Sequence, residues 1–79
     1  MYWMHKRDEG KGVVRFKVTG GYLYRVGLRK WGFEFDQLRQ YWWLEVPIGN
    51  SETTRDVEEF LKAADKIETT NALWRRLGQ

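Results

Sequence analysis

The apolar residues of this chain fall into four blocks of different spacing, and that order of periods limits the available folds more than any other feature. Val13 to Thr19 alternates, setting Val14, Phe16 and Val18 on one face and Val13, Arg15, Lys17 and Thr19 on the other, which is the two-residue period of a strand. Gly20-Gly21 stops it. Tyr24, Leu28 and Trp31 then recur at spacings of four and three, predicting a short helix with Gly32 as its C-cap. From Phe33 the period returns to two: Phe33 and Phe35 face one way, a polar turn follows near Asp36 to Gln40, and Tyr41 to Val46 runs back until Pro47 closes it. That pattern is a hairpin. Val57, Phe60, Leu61, Ala64 and Ile67 form one stripe, the face of an amphipathic helix capped at Thr53 or Thr54, with Asp56, Glu58 and Glu59 in its first turns. Thr69-Thr70-Asn71 is either a break before Leu73, Trp74 and Leu77 or part of one continuous helix.

The implied fold class is α+β in two layers, with a three-stranded, antiparallel-containing sheet in the order β-α-β-β-α and one sheet face covered by the C-terminal helix. Residues 1–12 show no period, mix aromatics with the charged stretch Lys6 to Gly12, and are expected to form an N-terminal arm; residues 13–79 are expected to form the single domain. A chain of 79 residues hides only about 60% of its unfolded surface and supports one core. Thirteen aromatic residues, five of them Trp, argue for a folded chain.

Several chemistries fall away at once. With no cysteine, disulfides, thiolate metal sites and cysteine nucleophiles are excluded. His5 is the sole histidine and has no partner at ligand or general-base spacing. Ser51, the sole serine, stands before a helix, where capping is its expected role. Glu58 and Glu59 are adjacent and point apart on a helix, and Asp36 is placed to bond its own turn. The scattered glycines lack a dinucleotide fingerprint, although the Gly20-Gly21 turn entering a helix offers room for one phosphate. The expectation is no enzyme, no metal and no cofactor. No uninterrupted apolar run is longer than that of Tyr41 to Leu44, which is far too short for a bilayer, and the N-terminus reverses the charge order of a signal peptide. The chain therefore reads as unprocessed, cytoplasmic or intracellular in a host cell, without a membrane partner.

Charge points to a partner. Residues 1–44 carry nine Lys/Arg against four Asp/Glu, whereas residues 45–79 carry five against seven, so a basic surface is built by the first half. Arg15 and Lys17 on the first strand share the sheet's second face with Tyr41 and Trp43 on the hairpin return. Rings that stack on bases beside cations that neutralise phosphates suit single strands. Tyr22, Arg25 and Arg29 lie three and four apart on the outer side of the short helix; with Lys30 and Arg39 they are expected to extend the phosphate track, Tyr22 adding a third ring. The bland alternative packs Tyr41 and Trp43 beneath Trp3, the arm or the Leu73/Trp74/Leu77 segment. A further alternative makes the open face a protein interface, in a homodimer or in a small viral-type regulator that inhibits a host protein, because Trp, Tyr and Arg also dominate protein hot spots.

The stretch Leu28-Arg-Lys-Trp-Gly-Phe-Glu-Phe-Asp36, continuing through Arg39 and Trp42 to Pro47, resembles the HARP-type domain of annealing helicases and related short domains of phage and conjugative elements. In that pattern a helix ending in Leu-x-x-hydrophobic-Gly leads into an aromatic-Asp hairpin that returns through a Trp. The resemblance covers Val13 to Ile67, though the turn lacks the Pro or Asn often found after the Asp. It implies association with single-stranded or junction-containing DNA, with RNA also open, and no catalysis, since such a module only accompanies a motor.

Overall fold

The computed structural model describes the backbone of residues 1–77 and the side chains of residues 1–68. Four strands form one antiparallel sheet: β1 (Tyr2–Asp8), β2 (Val13–Thr19), β3 (Glu34–Asp36) and β4 (Tyr41–Pro47), in the order β1-β2-β4-β3. Between β2 and β3 the chain makes a 3₁₀ turn (Tyr22–Tyr24) and the helix α1 (Arg25–Trp31), and after β4 comes α2 (Ser51–Leu77).

The sheet thus has four strands, not the three expected, because the segment taken for an arm is β1. It pairs with β2 along its whole length, from Tyr2 opposite Thr19 to Asp8 opposite Val13. The Glu9 to Gly12 turn closes that hairpin, with Gly12 in the left-handed region (φ 71°) and its amide donating to the Glu9 carbonyl.

Both helices lie on the face formed by Val14, Phe16, Val18, Trp42 and Val46, all buried together with Leu28, Phe33, Val57 and Leu61. Phe16, Leu28, Val57 and Leu61 are fully enclosed, each worth roughly 1.5 to 3 kcal/mol of burial. Trp31, at the end of α1, is partly buried against the core and packs on Phe60. Gly27 lets α1 approach α2, since a Cβ there would stand 2.7 Å from Cζ of Phe60. Gly32 ends α1 in the left-handed conformation (φ 99°), as its C-cap role requires.

The sequence reading of α2 needs two corrections. The cap is Asn50, whose side-chain oxygen accepts from the Thr53 amide at 3.3 Å, so the helix starts at Ser51 with Glu52 in its first turn rather than after Thr53 or Thr54. Twenty-seven residues at 1.5 Å each make a rod of about 40 Å, longer than any strand beneath it, and Ile67 is accordingly 53% exposed instead of joining the stripe. The backbone continues through Thr69 to Asn71 as one helix, while the side chains of Leu73, Trp74 and Leu77 lie outside the described residues. Phe35, expected to face the same way as Phe33, does so but on the edge strand, where it is 40% exposed against Trp42 while Phe33 is buried. Among the described residues no helix is long and apolar enough to cross a membrane.

Candidate nucleic-acid interface

Register decides which side chains share the sheet's other face, which no described helix covers. Lys17 is opposite Trp43 and Arg15 opposite Glu45; Glu34 and Asp36 are opposite Trp43 and Tyr41; Met4 and Lys6 of β1 are opposite Lys17 and Arg15. Directly opposed residues point the same way, so Arg15, Lys17, Tyr41 and Trp43 share a face. Trp3, paired with Val18, belongs to the helix side and does not cover Trp43. Packing by Leu73, Trp74 or Leu77 lies outside the described residues.

A shallow groove of about 420 Å³ runs over this face, lined by Lys11, Arg15, Lys17, Arg39, Tyr41 and Trp43, and by the carboxylates of Asp36 and Glu45. The Lys17 ammonium stands 5.1 Å from the centre of the Tyr41 ring, a cation-π distance. Arg39 donates to the Tyr41 hydroxyl at 3.4 Å, and that contact, with the nearby Asp36 carboxylate, holds its guanidinium above the ordinary arginine value. Asp36 accepts from the Leu38 and Arg39 amides at 3.0 and 3.1 Å, so it builds the turn, as its position in the sequence implies. Arg15 is already engaged: Nη2 donates to Glu45 Oε2 at 2.7 Å and stands 3.7 Å from Asp8. The hydrogen bond to Glu45 is the main cause raising its guanidinium above the ordinary value; desolvation acts against it.

The remaining expected residues do not extend this groove. Tyr22, Arg25 and Arg29 lie on the helix side, in a second recess of about 320 Å³ completed by Phe35, Gln40 and Trp42 beside Gly20-Gly21. Arg25 stacks on Tyr22 at 4.1 Å from the ring centre and donates to its carbonyl at 3.0 Å; Arg29 lies 5.6 Å from the Trp42 ring centre. Lys30 is exposed and lines neither cavity. At the β3–β4 turn Arg39 lines the groove and its neighbour Gln40, in the left-handed region at φ 62°, lines the recess. Gly20-Gly21 enters a three-residue 3₁₀ turn that leads directly into the seven-residue α1, neither piece long enough to focus a strong dipole on phosphate. Packing explains Gly21 instead, since a Cβ would meet Leu28 and Val18 at 3.0 and 3.1 Å.

Met4, Lys6 and Lys11 were missed as members of the open side because β1 was missed. The signal was present in Asp8-Glu-Gly-Lys-Gly12, a turn between two segments rich in strand formers. His5, outside any expected site, stacks between Trp3 and Phe16 and meets Glu58 at 2.7 Å, a contact that ties β1 to α2.

Comparison with protein-family models, with curated proteins and with solved structures gives no match.

Proposed function

We propose that this protein is a non-catalytic nucleic-acid-binding module that prefers single-stranded or junction DNA. The observation that carries the reading is the placement of the Lys17 ammonium over the Tyr41 ring with Trp43 as its cross-strand neighbour, on a sheet face left uncovered by the described helices. Rings on an open face, even half-buried ones, accept bases of any sequence at roughly 1 to 3 kcal/mol each, and adjacent cations neutralise the backbone between them. Lys11, Lys17 and Arg39 are the phosphate contacts of the groove; Arg15, held by Glu45 and Asp8, shapes the face without offering a free charge. The resemblance of Leu28 to Pro47 to HARP-type modules points in the same direction, and the work of such a module lies inside the cell, with nucleic acid.

Titration of a labelled single-stranded oligonucleotide at two salt concentrations, followed by Trp fluorescence, tests this. Three phosphate contacts give a log–log salt slope of about −2, and a duplex of the same sequence binds more weakly. Absence of salt-dependent binding contradicts the reading. If light scattering then shows a concentration-dependent dimer that protects Trp43 from solvent, the face is a protein interface instead.

A further inference from the structure

We infer that the recess between α1 and the β3–β4 edge receives a phosphorylated nucleotide end, its base against the rings of Tyr22 and Phe35 and its phosphate between Arg25 and Arg29. This rests on the nucleic-acid reading for its ligand class but on separate residues for its geometry. The groove across the sheet holds two carboxylates among its cations, whereas no acidic side chain among the described residues lines the recess. Among the described residues neither Arg25 nor Arg29 forms an ion pair; Arg25 lies over the Tyr22 ring and donates to the Tyr22 carbonyl, and Arg29 lies near the Trp42 ring. A guanidinium stacked on a ring keeps its N–H groups in its own plane, and a fork of that kind matches phosphate oxygens.

Charge and size narrow the ligand. A phosphodiester within a strand carries one negative charge, while a terminal phosphate monoester carries about 1.5 to 2, so paired arginines without a carboxylate neighbour favour the end over the interior. The volume of about 320 Å³ stands at the lower limit of small-ligand sites, roughly 300 to 1,000 Å³, and suits one nucleotide unit. The aromatic wall has no explanation in the core: Tyr22 is 68% and Phe35 40% exposed. Gln40 of the recess is flanked in the chain by Arg39 and Tyr41 of the groove, the direction in which the rest of an anchored strand would continue.

The test compares one oligonucleotide sequence carrying a 5′-phosphate, a 3′-phosphate or hydroxyl ends, together with adenosine monophosphate, on the wild type, on Arg25→Gln/Arg29→Gln and on Trp43→Ala. One phosphorylated end is expected to bind about ten-fold more tightly than the hydroxyl-ended strand, as charge-assisted contacts to one extra dianion allow. That preference disappears in the double variant and persists in Trp43→Ala. Equal affinity for all ends, or a preference that the double variant retains, overturns the inference. If no oligonucleotide binds at all, the nucleic-acid reading fails by itself: adenosine monophosphate binding that the double variant loses then keeps the recess as a free-mononucleotide site, and its absence overturns the recess as well. Should the double variant melt early, Arg29→Lys, which keeps the charge and removes the planar fork, reads the same preference.

Discussion

Arg15 directs Nη2 and Nε to a single carboxylate oxygen of Glu45, its register partner across the β2–β4 ladder, at 2.7 and 3.3 Å. The centre of the open face is thereby neutralised by its own chain, and on the proposed reading the cations around it set the binding strength. Glu45→Gln removes the charge and keeps the shape. The variant is expected to bind single strands about three- to five-fold more tightly at low salt, with a salt slope steeper by about 0.7, the increment of one further phosphate contact. Unchanged affinity and slope would show that Arg15 does not face the ligand.

Gly27→Ala tests the seat of α1 on α2. Alanine is favoured over glycine inside a helix by about 1 kcal/mol, yet the added methyl would stand 2.7 Å from the Phe60 ring, which is itself packed against Trp31. Overpacking of this kind costs about 1 to 3 kcal/mol, so the variant is expected to be less stable in denaturant titration. Adding Phe60→Leu should recover part of the loss. A Gly27→Ala protein more stable than the wild type would contradict the packing.

Removal of residues 1–8 tests whether β1 is integral. It takes away a whole ladder with β2, the Trp3 side chain on the core and the His5–Glu58 contact that joins strand to helix. Loss of a cooperative thermal transition is expected. Tyr2→Ala, at a position 67% exposed, serves as the control and should stay within about 0.5 kcal/mol of the wild type. A truncated chain that melts at nearly the original temperature would return these residues to the status of an arm.

The contrast between β1 and β2 explains how far the fold was legible. In β2 the covered positions are Val14, Phe16 and Val18, a pure apolar alternation, and its opposite face follows directly. In β1 the helix-side positions are Trp3, His5 and Arg7, whereas Tyr2 and Met4 face outward; an edge strand only partly covered by a helix has no need of an apolar stripe, so its period was invisible. The sharing of one face by Arg15, Lys17, Tyr41 and Trp43 was readable because parity within each strand sets them opposite the apolar positions that must face one core, and the β2–β4 register agrees. That Arg25 and Arg29 lie behind the sheet was not readable, since parity within a helix says nothing about which side of a sheet the helix takes. Phe35 shows the complementary limit: its parity was right, but exposure depends on how far the helices reach over the edge strand.

The most direct test of the open face as a binding surface is the paired measurement of oligonucleotide affinity and melting temperature for Trp43→Ala. Trp43 is half-buried on the uncovered side, opposite Lys17 and Glu34. Loss of one stacking ring is expected to weaken single-strand binding about ten-fold while Tm falls by no more than about 5 °C. Unaltered binding, or a collapse in Tm that accounts for the lost affinity, would contradict the account.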